Sequence, residues 1–258
     1  MGQLKRSDDG PGQSRLFSFL EVIHVELGPF NGAEVEFKRR SGYYNGQLLV
    51  SKRAAGVIKA IAVCGALSGN QIRALTGTLS HKSTMTALVA RGFVDIYESG
   101  KTPPVYTLGQ GGAEIMDESY RMWDTIELLR TVAANQLWVC LSRLWPDAGW
   151  DPYGEFPVLT KGSSRFLVAA PRMRPGEPVL ASRVFNCEGR VIIVAASVEQ
   201  LKELDPLAPE KVRYTWDALL KDGVTFYRLN GSGLVLDDAF SSENRKVIKK
   251  VLTSERAL

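Results

Sequence analysis

The chain has 258 residues, 45% of them hydrophobic, and its 32 Lys and Arg against 28 Asp and Glu give a net charge of +4. This length predicts one large or two small domains, and the small net positive charge is a gentle bias rather than the mark of a basic arm or tail. No apolar stretch approaches the roughly 18 to 20 residues of a membrane span. The polar N-terminus lacks the apolar segment of a secretory signal, so we expect a cytoplasmic protein with no membrane contact.

Residues 1–45 predict an N-terminal extension that contains a β-hairpin. After a polar segment typical of disordered chain, LFSFLEVIHVELG and AEVEFKRR have the character of two strands on either side of the turn GPFNG. Val35 and Phe37 alternate with charged residues, which is typical of a half-buried strand. The basic cluster at 38–40 fits either an arm that touches DNA or the solvated end of a strand.

Residues 46–123 predict a winged helix-turn-helix, a module of three helices followed by a β-hairpin. Three runs with helical character, 51–69, 70–77 and 80–92, each begin at Ser or Asn and end at Gly. Ser and Asn are favoured N-caps, and Gly is the favoured residue after a helix. Two strand-like pieces, FVDIYES and PVYTLG, follow the third run and are joined by the polar turn GKTPP.

The exposed start of the third helix is the predicted DNA-contacting surface. Hydroxyl, lysine and imidazole side chains at that position suit contacts with phosphates and base edges, and a lysine at the hairpin tip suits the DNA backbone. Together with polar residues of the second helix, the candidate DNA-binding residues are Asn70, Gln71, Arg73, His81, Lys82, Ser83, Thr84, Thr86, Arg91 and Lys101. The segment 46–122 holds eight basic and five acidic residues, a net +3, which predicts few phosphate contacts.

Residues 124–258 predict a small α/β domain with a mixed sheet, which makes the whole chain α+β. A long helix, DTIELLRTVAANQLWVCLSRLW, is followed by strand-like runs that alternate with the helical stretches VEQLKELDP and RYTWDALLKD. A basic helix ends the chain. Arg172 and Arg174 lie in a predicted loop, where they fit a wider DNA-contact face, a surface for a partner protein or a solvated loop.

The cysteines and the missing motifs argue against a cofactor. Cys64, Cys140 and Cys187 are far apart in apolar surroundings, so we expect buried free thiols in a reducing compartment. The chain has two histidines and no Cys-x-x-Cys pair, so no zinc site is expected. It contains no P-loop and no nucleophile elbow.

A metal-dependent nuclease is the catalytic alternative. Such an enzyme needs acidic groups to hold Mg²⁺ and a lysine near the attacking water. Asp147 and Asp151 could supply the first acidic group, but no Asp/Glu-x-Lys follows them on a predicted strand. The one good match, Glu36 with Lys38, precedes them in the N-terminal hairpin. We therefore expect no enzyme, with a nuclease that uses Asp147, or Glu36 with Lys38, as the alternative.

The order of these parts resembles the plasmid replication-relaxation family. Tyr106, Leu108 and Gly112 approximate the Tyr-x-Leu-Thr-x-x-Gly pattern at the end of that family's wing, with Gly109 in place of Thr. The following helix keeps the Asn of a His-x-x-x-Asn element at Asn135 and lacks the His. The resemblance covers the chain from about residue 50 to about residue 240 and leaves the N-terminal extension outside.

The resemblance implies a double-stranded DNA-binding protein of a bacterial plasmid or other mobile element. Its role would be replication control, relaxosome assembly or transcriptional regulation, and a relaxase or a replication initiator would be a fitting partner protein. The family's C-terminal half is similar to restriction-endonuclease-like folds, often without a complete catalytic set.

A homodimer is expected, because one winged helix with few basic residues would bind DNA weakly, and two copies on a repeated site would supply affinity. Two other classes of function fit the same sequence. One is a protein-interaction module whose winged helix never touches DNA, and the other is a regulator whose α/β domain holds a small molecule.

Overall fold

The computed structural model describes residues 35–46, 50–77, 81–100, 102–154, 156–172, 189–197, 200–201, 211–217, 219–220, 224–230 and 233–237. In this part of the chain, five helices accompany two β-sheets, so the fold is α+β as predicted. The elements in chain order are β1 (Lys38–Arg40), α1 (Lys52–Cys64), β2 (Ala66–Ser68), α2 (Gly69–Thr76), α3 (His81–Ala90), β3 (Val94–Glu98), β4 (Val105–Leu108), α4 (Gln110–Met116), α5 (Thr125–Leu144), β5 (Gly149–Asp151), β6 (Val158–Lys161), β7 (Ser164–Ala169), β8 (Arg190–Ala195), β9 (Val212–Trp216), β10 (Tyr227–Asn230) and β11 (Gly233–Leu236).

Helix α1 begins where the sequence predicts and ends earlier. The Ser51 hydroxyl accepts a hydrogen bond from the Ala54 amide at 3.2 Å, which confirms Ser51 as the N-cap. The predicted end at Gly69 is wrong. Gly65 adopts a positive φ of 74° and closes the helix onto the Ile61 carbonyl, and Ala66–Ser68 then pair with β4 as a strand. A positive φ is readily adopted only by glycine, so Gly65 fixes this boundary.

Helix α2 is capped by Ser68, and the predicted cap at Asn70 is wrong. The Ser68 hydroxyl accepts from the Gln71 amide, and the Gln71 side chain accepts from the Ser68 amide, which together form a capping box. Gly77, in the left-handed conformation at φ 64°, ends the helix as predicted. The predicted cap of the third helix, Ser80, lies outside the described residues.

The first sheet is antiparallel and has the strand order β1-β3-β4-β2. Its outermost strand, β1, comes from the predicted N-terminal extension and pairs with β3, with Arg39 opposite Tyr97. Strand β1 therefore shares a sheet with strands from the predicted segment 46–123. The first strand of the predicted hairpin lies outside the described residues.

The second sheet has seven described strands in the order β11-β10-β9-β8-β7-β6-β5. It is mixed, as predicted, because β7, β8 and β9 run parallel while the flanking pairs are antiparallel. The predicted helix at 213–222 is wrong at its start, since Val212–Trp216 form β9 beside β8. The final basic helix lies outside the described residues.

Helix α5 packs against both sheets and is buried on several sides. Leu128 and Val132 pack with residues of the first sheet, whereas Leu137 and Leu141 pack with the second. A helix that is apolar around most of its circumference is typical of a protein interior. The two halves of the chain therefore share one central helix.

Candidate nucleic-acid interface

Helix α3 presents a polar surface on one side and core residues on the other. Met85 and Leu88 are buried against α1 and the first sheet. Ser83 and Thr86 are exposed, and Thr84 is half-buried. The structure describes the backbone of His81 and Lys82, at the N-terminal end of the helix, but not their side chains. The exposed side of α3 therefore carries hydroxyl groups at the positions that the sequence predicts.

Helix α2 contributes less than the sequence predicts, because Gln71 is buried. Its side chain is 1% exposed and donates to the Val132 carbonyl at 2.8 Å and to the Gln136 side chain at 3.1 Å. With its amide oxygen in the capping box, Gln71 has no surface to offer to DNA, and its assignment as a DNA contact is corrected. The capping-box pattern Ser-x-x-Gln was visible in the sequence.

Asn70 and Arg73 lie together at the surface of α2. The Arg73 guanidinium donates to the Asn70 side-chain oxygen at 2.9 Å, and both residues are half-buried. Arg91, just after α3, is exposed, and its guanidinium lies 4.9 Å from the centre of the Phe93 ring. Both arginines are thus held in place by neighbours while they keep access to solvent.

Residues 99–104 connect β3 to β4 and include several polar side chains. The Thr102 amide donates to the Ser99 hydroxyl at 3.1 Å, and Gly100 has a positive φ of 72°. Lys101, the predicted tip contact, lies outside the described residues. Lys38 of β1 is exposed and pairs in register with Glu98 near this turn. The basic cluster of the N-terminal extension therefore runs along the outer edge of the hairpin.

Two of the three cations in that cluster have acidic partners. Arg40 forms an exposed ion pair with Glu98 at 3.3 Å. Arg39 lies 3.5 Å from the fully buried carboxylate of Asp95, which also accepts hydrogen bonds from the hydroxyls of Tyr120, at 2.9 Å, and Ser41. Arg39 therefore compensates a buried charge and anchors β1 to β3.

Burial raises the pKa of the Tyr120 phenol, and its hydrogen bond to Asp95 raises that pKa further. The phenol thus stays protonated and remains a donor to the Asp95 carboxylate at neutral pH. One cation and two hydroxyl groups compensate the buried carboxylate of Asp95. These contacts attach β1 to the edge of the hairpin.

The basic loop predicted around Arg172 does not form an outward-facing patch at that residue. Arg172 is 1% exposed and donates two hydrogen bonds to the carboxylate of Asp217, at 2.8 and 2.9 Å. It also donates to the Val194 carbonyl at 3.1 Å. Arg172 therefore joins the ends of β8 and β9 in the interior, and its assignment as a surface contact is corrected. Arg174 lies outside the described residues.

The acidic residues considered for a nuclease are not gathered into a metal site. Glu36 is exposed beside the first sheet, and Asp147 is exposed in the turn after α5. Asp151 accepts a hydrogen bond from the Tyr153 amide at 3.0 Å. Among the described residues, no group of three or more His, Cys, Asp or Glu side chains could hold a metal ion.

Two of the three cysteines are buried free thiols, as predicted. Burial raises the pKa of the Cys64 thiol to about 12, so this thiol stays protonated and unreactive at neutral pH. The Cys140 sulfur lies 3.4 Å from the Leu220 carbonyl. Cys187 lies outside the described residues.

Sequence reasoning missed a second basic surface on α1. Lys52, Arg53 and Lys59 line a groove between α1, α2 and α5. The sequence offered one signal for this surface, namely Lys52 and Arg53 in the first turn of the predicted helix. Cations are disfavoured at the N-terminal end of a helix, so their presence there indicates a role other than stabilising the helix.

Comparisons with known protein families, with curated proteins and with solved structures find no match to this chain. Within the described part of the chain, no helix combines the length and the apolar character that crossing a bilayer requires.

Proposed function

We propose that the segment 46–123 contains a winged helix-turn-helix that binds double-stranded DNA through α3. The observation that supports it best is the order α1, β2, α2, α3, β3, β4, with the short strand β2 paired to β4. Winged-helix domains close their sheet in this way, with a short strand from between the first two helices beside the hairpin. The exposed side of α3 would then enter the major groove.

The side chains on that side of α3 suit direct contact with DNA. The hydroxyls of Ser83, Thr84 and Thr86 can donate to phosphates or base-edge acceptors and can accept from base-edge amines. His81 and Lys82 stand at the N-terminal end of α3, where the helix dipole adds positive potential that favours a phosphate. The hairpin would contact the adjacent backbone with Lys101 and with Lys38 on its outer edge.

The charge of this surface predicts a moderate dependence on salt. The proposed phosphate-contacting cations are Lys38, Lys82, Arg91 and Lys101. Four phosphate contacts give a slope of log affinity against log salt of about −4 for one protomer. A homodimer on a repeated site would double the number of contacts, and this is the expected binding form.

The biological role is proposed from the resemblance to the plasmid replication-relaxation family. The protein would act in the bacterial cytoplasm on plasmid or mobile-element DNA, in replication control, relaxosome assembly or transcriptional regulation. A relaxase or a replication initiator would be its partner protein. We infer that it acts by binding and carries out no catalytic step; its second half would be a restriction-endonuclease-like sheet without a working metal site.

Fluorescence anisotropy tests the proposal with labelled duplexes from around the protein's own gene and with a random duplex, over a salt series. Lys82→Ala should weaken binding to every duplex, because it removes a phosphate contact. Thr86→Ala should mainly reduce the preference for the specific duplex, because it removes a base-edge contact.

Matched controls come from the second sheet, where Lys211 and Thr160 are exposed. Lys211→Ala and Thr160→Ala should leave both affinities unchanged. Absence of binding at low salt, or equal effects of Lys82→Ala and Lys211→Ala, would overturn the assignment of α3 as the DNA-contacting helix.

A further inference from the structure

A groove of about 770 Å³ lies between α1, the C-terminal end of α2 and the middle of α5. Its apolar lining comes from all three helices, with Ala60 and Val63 from α1, Leu75 from α2 and Trp138 from α5. Val63 is 40% exposed, which is unusual for a large apolar side chain on a helix of this core. The groove therefore has apolar side chains from three helices in its lining, which we call its floor.

The rim of the groove is positively charged. Lys52, Arg53 and Lys59 line it, and none of the described lining residues is acidic. Lys52 and Arg53 lie in the first turn of α1, which has no acidic residue. Cations at the N-terminal end of a helix oppose the helix dipole, so their position there does not stabilise α1. Their charge adds to the positive potential at the N-terminal end of α1, and together these charges make the groove attractive to an anionic partner.

The floor of the groove is held rigid before any partner arrives. The rings of Trp138 and Trp150 are stacked, with centres 5.7 Å apart and an interplanar angle of 8°. The Trp150 indole nitrogen donates to the Asn135 side chain at 3.0 Å, and Asn135 is fully buried. A preorganised tryptophan loses little freedom on binding and is a residue type that contributes strongly to interfaces.

Gly56 opens the middle of the groove. A Cβ atom built at Gly56 meets nothing within 4 Å, so packing within the described structure does not require a glycine there. Glycine inside a helix costs about 0.5–1 kcal/mol relative to alanine. The missing side chain leaves room for another backbone to approach α1 closely at this position.

We propose that this groove binds an acidic amphipathic helix of a partner protein. Lys52, Gly56, Lys59 and Val63 follow one another at helical spacing along one side of α1, so the groove extends about 16 Å, or three turns of a helix. The apolar side of the partner helix packs on Val63, Leu75 and Trp138, and its carboxylates pair with the basic rim. This is the helix-in-groove mode of recognition.

The apolar floor favours a protein helix over the DNA backbone. Phosphates would pair with Lys52, Arg53 and Lys59 but would leave Val63 and Trp138 uncovered by apolar surface. An amphipathic helix satisfies both the rim and the floor. None of the described lining residues of the groove belongs to α3.

The probe is a fluorescein-labelled synthetic helix of about 16 residues, with leucines at i, i+3, i+4 and i+7 spacing and glutamates elsewhere. A second peptide has lysines in place of the glutamates. The full chain should bind the acidic peptide and bind the basic one at least about tenfold more weakly, because the rim repels it.

Two variants test the rim and the floor separately. Lys59→Glu should weaken acidic-peptide binding at least about tenfold, while Lys211→Glu on the second sheet should not change it. Gly56→Met should block the groove and also weaken binding, although it should not lower the melting temperature, because methionine is the better helix former.

Circular dichroism of each variant confirms that it is folded. Equal binding of the two peptides, or equal effects of Lys59→Glu and Lys211→Glu, would overturn the proposal. Loss of DNA affinity in Lys59→Glu and Gly56→Met with peptide binding unchanged would assign the groove to DNA. If the free chain is a dimer and Gly56→Met converts it to a monomer, the groove binds a second copy of the chain. Either of these two results would overturn the proposal that the groove binds a helix of a partner protein.

Discussion

Replacing Asn135 should disturb the described fold strongly, because its side chain joins α5 to the turn after α1. Its amide nitrogen donates to the carbonyls of Cys64 and Ala66, each at 2.7 Å. Its oxygen accepts from the Trp150 indole at 3.0 Å, and the residue is 0% exposed. The Asn that the resemblance singles out thus has a structural role in this chain, in holding β2 against the central helix.

Asn135→Asp keeps the shape of the side chain and removes both N–H donors. The two buried carbonyls each lose a partner, at about 1–3 kcal/mol apiece, and a carboxylate then faces their partial negative charges. We expect the free energy of unfolding to fall by about 3–5 kcal/mol at pH 8. The deficit should be smaller at pH 5, because a buried carboxyl that is disfavoured as an anion takes up a proton and can then donate one hydrogen bond.

Urea denaturation followed by circular dichroism measures this difference. The control is Gln110→Glu, the same change of an amide to a carboxylate at an exposed residue, which should stay within about 0.5 kcal/mol of the wild type. If Asn135→Asp also stays within that limit, the two hydrogen bonds from Asn135 to the Cys64 and Ala66 carbonyls do not stabilise the fold and the reasoning fails.

Three further predictions concern single side chains. Arg172→Met should lower the free energy of unfolding by about 3–5 kcal/mol, because Asp217 loses its buried bidentate partner. Arg165→Met on the exposed face of β7 is the control. An equal, small loss in both variants would show that the Arg172–Asp217 pair is dispensable. Ser68→Ala should cost about 1 kcal/mol through the lost capping box, whereas Ser83→Ala should cost almost nothing, with thermal melts as the measurement. Above pH 9 the Cys64 thiol should lower the stability by up to about 1.4 kcal/mol per pH unit, because its pKa is the ordinary 9.0 when unfolded and about 12 when folded. Above pH 10 Tyr214, whose pKa burial also raises to about 12, should add to the decline. Cys64→Ala should flatten this alkaline decline, and an unchanged decline would contradict the assigned cause.

Local chemistry in the sequence was enough to predict several elements. Ser51 caps α1 and Gly77 ends α2 because a hydroxyl at the start of a helix and a glycine after its end act on neighbouring backbone groups. The apolar run 191–195 in β8 lies in a central strand because both its faces are covered. The α+β class and the mixed sheet follow from the alternation of such runs along the chain.

The candidate DNA-contacting surface was predicted only where periodicity decides exposure. Met85 and Leu88 fall on one side of α3, so the hydroxyls of Ser83 and Thr86 were expected outside and lie outside. Gln71 fell on a polar stretch that the sequence assigns to the surface. Its burial depends on Val132 and Gln136 of α5, some sixty positions later in the chain.

Partners distant in sequence decided the remaining features. Ala66–Ser68 become a strand because β4 lies alongside, and Val212–Trp216 do so because β8 offers them a parallel edge. Arg172 points into the interior because it pairs there with the Asp217 carboxylate at the end of β9. Helix caps, turns and hydrophobic periodicity depend on residues a few positions apart, so the sequence by itself determines them. Strand pairing and the burial of polar side chains depend on which distant segments pack together, and only the tertiary structure decides these two features.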